Sequence, residues 1–228
     1  MRRDRRALRT ATRIALALCA PVLLLLSNLY LLATPAFIRY EYGKPSFPPA
    51  DRYSAPERLS LAQATLHYMR SSEGADYLTT LESQGQPVYN IREVRHLVDA
   101  KLVMRGALWV HAASALICLL ALVRSRRSRD EWHGAMRAVF VGCLALVAFL
   151  VIIGILAYTN FGLFFTIFHR LLFEGDTWLF SFSDTLIQLF PVQFWMDATW
   201  LLALWTVGEC AAVGATAYAL SRRLRSGR

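Results

Sequence analysis

Outside its apolar runs this chain has no cysteine: Cys19, Cys118, Cys143 and Cys210 all fall inside them. That excludes a disulfide framework on the solvated segments, and without a CxxC pair there is no zinc-ribbon or dithiol redox motif. A thiol in an apolar run behaves as a small hydrophobe, so these four are expected to be inert. The GxSxG elbow, the HExxH helix and the P-loop are missing too. Serine-esterase, zincin and nucleotide-driven chemistries lose their usual carriers with them. Polar sequence is itself in short supply. Of the 228 residues 56% are hydrophobic and the mean hydropathy is +0.37, too apolar for a soluble domain of this size.

What is present is four apolar runs, over about residues 14–38, 102–123, 138–158 and 198–220. Crossing a bilayer core takes about 20 helical residues, so each run is long enough. The expected fold is an all-α membrane protein with four transmembrane helices forming a single membrane domain. The intervening segments, 39–101 and 159–197, are expected to be helical or re-entrant. The first run follows arginines and precedes Thr34-Pro35-Ala36, which gives it the outline of a secretory leader. Its apolar stretch is about twice the usual length, and Pro35 fits a cleavage site poorly, so an uncut first helix is expected. Leu18 stands where a lipobox before Cys19 needs a small residue.

Charge sets the expected orientation. Six arginines precede Ile14, five lie between Arg124 and Arg137, and four follow from Arg222, against only Asp4, Asp130 and Glu131. Segment 39–101 balances eight basic with eight acidic residues, and segment 159–197 sets Arg170 against Glu174, Asp176, Asp184 and Asp197. By the positive-inside rule both termini are cytoplasmic and the two longer segments lie outside. The same asymmetry accounts for the net charge of +9 without a nucleic-acid partner, which is not expected. Anionic membrane lipid suffices.

Along segment 39–101, Ser60-Leu-Ala-Gln63 has the form of a capping box and predicts a short helix to about Arg70. Asn90 is a plausible N-cap for a second helix running straight into the second span. On it Glu93, His96 and Asp99 fall at i, i+3 and i+6, so a carboxylate sits near a histidine whose ring it can orient. The same spacing occurs on any solvated, salt-bridged face. Between Phe161 and Trp195 lie eleven of the 28 aromatic residues, with Gly162, Gly175 and Pro191 interrupting any single helix. That segment reads as an aromatic belt at headgroup level, a lipid-binding floor, or both. Inside the spans, His111 and Glu209 lie at similar depth and predict a buried structural pair, with a proton path as the other reading. His67 is read as a surface residue of the short helix and His133 as part of the cytoplasmic loop.

Chemistry then narrows to His96, His169 and nearby carboxylates. Glu174 follows His169 by five residues, one carboxylate type away from the HxxxxD of glycerolipid acyltransferases. Two imidazoles suffice for acyl transfer without a nucleophilic side chain when donor and acceptor are held together. One takes a proton from an attacking amine; the other stabilises the oxyanion or protonates the leaving oxygen.

At these residues the chain resembles the bacterial lipoprotein intramolecular transacylases. Arg92-Glu-Val-Arg-His-Leu-Val-Asp-Ala-Lys101 is similar to their His-Met-x-Asp-Val-Lys stretch, departing at Leu97 and Ala100. Phe168-His-Arg-Leu-Leu-Phe-Glu-Gly-Asp-Thr-Trp178, then Asp184-Thr-Leu-Ile-Gln-Leu-Phe-Pro191 and Phe194-Trp195, is similar to their second signature. The resemblance implies a bacterial cytoplasmic-membrane enzyme acting on a diacylglyceryl lipoprotein substrate, with no cofactor or metal. It would move the sn-2 acyl chain to the lipoprotein's own N-terminal cysteine amine. His96 and His169 would be catalytic, with His169 expected as base for the amine and His96 as oxyanion or leaving-group partner, the reverse assignment being the alternative. Glu93, Asp99, Lys101, Glu174, Asp176 and Asp184 would support or orient them, and Phe168, Phe173 and Trp178 would line the acyl chains. Two other classes remain open: a non-enzymatic membrane scaffold or lipid-binding subunit, and a proton-coupled transporter using His111 and Glu209.

Overall fold

The computed structural model of the protein describes residues 2–226. Helix α1, Arg2–Leu32, ends earlier than the apolar run does. Pro35 opens a separate helix α2, Pro35–Tyr42, and the Thr34 hydroxyl accepts from the Phe37 amide. The expected first span to residue 38 is therefore two helices, because a proline is pre-set for a first turn and cannot donate from within one. Helix α3, Ala55–Arg70, also differs from expectation. Pro56 nucleates its first turn, which leaves Ser60 in the interior of the helix and not at a cap. A four-residue helix α4, Asp76–Thr79, precedes a two-stranded hairpin of β1, Glu82–Ser83, and β2, Gln86–Pro87. Gln84 and Gly85 join its strands with φ of 54° and 72°, the signs that a tight two-residue hairpin turn requires.

Helix α5, Ile91–Ser125, starts where the sequence predicted. Asn90 Oδ1 accepts from the Arg92 and Glu93 amides, and Glu93 Oε2 accepts in return from the Asn90 amide. This closed capping box uses donors that any helix start leaves unpaired. At 35 residues α5 is about 52 Å long, well beyond the ~30 Å of a hydrocarbon core. Residues 91–101 precede its apolar run and lie outside that core. Helix α6, Arg129–Thr159, is started by Ser128, whose hydroxyl accepts from the Glu131 amide. Asn160 caps helix α7, Phe161–Leu172, through the Leu163 amide. Gly162 lies inside that first turn without breaking it. Gly175 does interrupt the chain, at φ 66°. Helix α8, Thr185–Leu189, and α9, Val192–Ser226, follow, separated by Pro191. Helices α1, α5, α6 and α9 are each long and apolar enough to cross a membrane.

The residues group into two compact units. One takes Met1–Leu29, Ala107–Ile155 and Leu201–Arg228; small residues line its core, among them Ala121, Ala135, Cys143, Cys210 and Ala217. Small side chains let helix backbones approach in lipid, where no hydrophobic force holds helices together. Gly142 takes this furthest, since a Cβ there would overlap the Ala17 carbonyl. His111 and Glu209, the two ionisable groups expected to pair, each meet a polar residue of α1. His111 Nε2 lies 2.9 Å from Ser27 Oγ, and Glu209 Oε2 accepts from Asn28 Nδ2 at 2.8 Å.

The second unit takes Tyr30–Gly106 and Leu156–Trp200. Its core is built from larger residues: Tyr53, Leu61, Tyr68, Leu78, Val88, Val94, Leu97, Leu186 and Leu189. Two carboxylates hold the start of α5 to the segment around α8. Glu93 Oε1 accepts from the Leu186 amide at 2.8 Å, while Asp184 accepts from Asn90 and Arg92.

Candidate active site

Both sequence-predicted histidines lie in this second unit. His169 is in the last turn of α7 and His96 in the second turn of α5; their ring centroids stand 6.1 Å apart, with planes 23° from parallel. Helical periodicity sets up the first of them. Phe165, one turn before His169, stacks on its ring at 4.0 Å, and the Phe165 carbonyl lies 2.8 Å from His169 Nδ1. A carbonyl only accepts, so Nδ1 carries the hydrogen and Nε2 of the neutral ring holds a lone pair. His96 has no such tether: its Nδ1 is buried without a protein partner among the described residues.

Rings close the site. Phe173 packs on both imidazoles, at 4.8 Å from His96 and 5.5 Å from His169. Trp178 lies 5.0 Å from His169 and is itself held by an indole N–H bond to the Gly175 carbonyl. Phe180 meets His96 edge-on at 5.3 Å. Apolar walls of this kind disfavour charge on an imidazole. Burial holds His169 below the ordinary histidine range, with the Phe165 carbonyl pulling the other way. Burial, joined by repulsion from His169, takes His96 down to about 4. At neutral pH both rings are uncharged, the state a general base needs.

The remaining candidates divide by place. Glu93 is buried, but it spends its oxygens on the Asn90 and Leu186 amides and does not orient His96. The i, i+3 spacing pointed at the histidine, but Glu93 is also the third residue of the helix, where its own N-terminal amides compete for it. Asp99 is half-buried. Lys101 is buried, with Nζ donating to the Glu73 carbonyl at 2.6 Å and lying 3.9 Å over the Tyr68 ring. Glu174 and Asp176 are exposed. Asp184 is half-buried, pairing with Arg92 at 3.0 Å and capping the Ser181 amide. Phe168 reaches the His169 ring at 5.4 Å but is 47% exposed, unlike Trp178 at 7%. Sequence reasoning missed Phe165 and Phe180. The first was legible as the i−4 neighbour of His169 once 161–172 is read as a helix; the second carried no local signal.

The fold has solved counterparts. The membrane-integral lipoprotein intramolecular transacylase Lit of Bacillus cereus superposes with a TM-score of 0.69 at 19% identity, covering 100% of this chain and 98% of that one. A histidine-to-alanine form of the same protein gives a TM-score of 0.60 at 19% identity, covering 98% of each. The class is thus an all-α, multi-pass membrane protein. Residues 14–195 match the profile of the lipoprotein intramolecular transacylases, and an uncharacterized protein of Aquifex aeolicus (strain VF5) is 31% identical over 173 residues, 74% of this chain and 75% of that one. The chain belongs to the lipoprotein intramolecular transacylase family, a family of acyltransferases.

Proposed function

We propose that this chain moves the sn-2 acyl chain of a diacylglyceryl lipoprotein onto the α-amine of that lipoprotein's own N-terminal cysteine. The observation that carries the reading is the imidazole pair, 6.1 Å apart between centroids, with the His169 tautomer set by the Phe165 carbonyl. The amine nitrogen attacks the sn-2 ester carbonyl while His169 Nε2 takes its proton. An N–H of neutral His96 donates to the oxyanion that forms. The carbon–oxygen bond to glycerol then breaks, and the imidazolium of His169 returns its proton to the departing oxygen. The products are an amide and a free glyceryl hydroxyl, with no water consumed and no acyl-enzyme formed. Donor and acceptor share one molecule, so proximity comes with the substrate.

Phe173, Trp178 and the more exposed Phe168 supply apolar surface for the acyl chains. Asp184 and Glu93 act on the site from a distance by holding the start of α5 against α8. Arginine-rich termini and the Arg124–Arg137 loop favour a cytoplasmic location for both ends, which puts the histidines on the extracytoplasmic face, where lipoproteins mature, among membrane lipids and away from nucleic acid. Mass spectrometry of a lipoprotein's N-terminal lipopeptide, from cells lacking native N-acylation, tests the proposal. Expression of the chain is expected to yield the N-acyl, monoacylglyceryl form. An unchanged diacylglyceryl peptide with a free amine, the protein being present in the membrane, overturns it.

A further inference from the structure

A cluster of arginines lies in the other unit. Arg9, Thr12 and Arg13 of α1 face Arg124, Ser125 and Glu131 around a notch of about 10 Å³, room for a single oxygen atom. Three guanidinium groups surround one carboxylate, which pairs with two of them. Glu131 accepts from Arg9 Nε at 2.8 Å and from Arg124 Nη1 at 2.9 Å. Those two bonds leave Arg124 Nε buried with no acceptor among the described residues, while the Arg13 side chain beside it is exposed. A buried guanidinium N–H without a partner is costly, so an acceptor is missing here.

The place of the notch says which acceptor. Arg13 directly precedes the apolar run of α1 and Arg124 directly follows that of α5, so both stand where hydrocarbon gives way to headgroups. Gly134 supplies the remaining element: a Cβ there would overlap the Arg13 guanidinium, which the glycine lets lie against α6. We propose that this notch binds the phosphate of an anionic phospholipid, one phosphate oxygen entering between Arg13 and Arg124. The site is independent of the acyl-transfer reading and stands if that reading fails.

Native mass spectrometry of the full chain in detergent, titrated with phosphatidylglycerol or phosphatidylcholine, tests it. The wild type is expected to retain one phosphatidylglycerol in preference to phosphatidylcholine. Arg13→Gln removes a charge and is expected to weaken that binding about fivefold, the effect of one basic residue near a lipid surface. Gly134→Ala is the sharper probe, because it keeps every charge and displaces only the guanidinium; a similar loss is expected. Unfolding midpoints identify any variant that fails to fold, and Arg13→Gln carries the test if Gly134→Ala does. Wild-type phosphatidylglycerol binding in folded Arg13→Gln, or in folded Gly134→Ala, overturns the site in favour of diffuse attraction. Displacement of the lipid by millimolar inorganic phosphate overturns it in favour of an adventitious ion only.

Discussion

The polar residues of the spanning helices and the two site histidines have partners of different kinds. In the unit of spanning helices the former meet other side chains across helix pairs: Ser27 with His111, and Asn28 with Thr206 and Glu209. Around His96 and His169 the neighbours are aromatic faces and a single main-chain carbonyl. A side-chain partner ties two helices and fixes their register. A carbonyl partner on the same helix ties nothing together. It selects a tautomer and leaves the other ring nitrogen unspent, so the same residue type ties helices in one unit and keeps an available lone pair in the other.

The largest expected effect breaks this contrast at its centre. Replacing His169 or His96 with Ala should lower acyl transfer about 10²–10⁴-fold each, read as the N-acyl lipopeptide formed per molecule of inserted protein. His111→Ala should leave transfer within a few-fold of wild type; equal losses at all three positions would dissolve the distinction.

Next in size is the support beneath the site. Glu93→Ala strips an acceptor from the buried Leu186 amide and from the part-buried Asn90 amide, and about 1–3 kcal/mol of stability should go with it, measured as the unfolding midpoint in detergent. Glu93→Gln keeps one acceptor oxygen and should lose less.

The pH dependence sharpens the comparison further. A base works neutral, and its neutral fraction falls only as pH drops through its own pKa. Both rings are held below the ordinary histidine range, so both should stay neutral from pH 8 down to the ordinary histidine pKa of about 6.5. Loss over that window should instead follow protonation of the substrate α-amine, whose pKa is about 8. A substrate whose acceptor amine is less basic should move the limb to lower pH. A limb fixed near 6.5 with both substrates would mean that a histidine is titrating normally and that the aromatic walls do not exclude charge.

Smallest is the spanning network. Asn28→Ala removes bonds to Thr206 and Glu209, and interhelical bonds of this kind contribute about 0.6 kcal/mol on average in membranes. A shift in the unfolding midpoint near the limit of measurement, with transfer unchanged, is expected.

Much of this was legible beforehand for local reasons. Apolar run length predicted four helices long enough to cross, and Asn90 with Glu93 three residues on announced the start of α5. Local signals also competed and misled. Ser60-Leu-Ala-Gln63 has the form of a helix start, but Pro56 begins the helix first; Pro35 likewise divides an apolar run that hydropathy reads as continuous. Glu93 shows the limit most plainly. Its spacing pointed to His96 or to a solvated face, but the Asn90 amide and the Leu186 amide, 93 residues away, take its oxygens. Lys101 reads as a support for the histidines, whereas the Glu73 carbonyl and the Tyr68 ring take its ammonium group.

The sequence by itself determined the material: apolar lengths, the asymmetry of arginine, and two histidines beside the right kind of spans. Those follow from composition and short-range periodicity, which act within a few residues along one helix. Tertiary structure alone decided that His96 and His169, 73 residues apart, share one aromatic enclosure, and that Phe173 touches both. It also took Glu93 away from the chemistry. Burial and ring packing depend on what the rest of the chain brings alongside, and it is burial that keeps both imidazoles neutral.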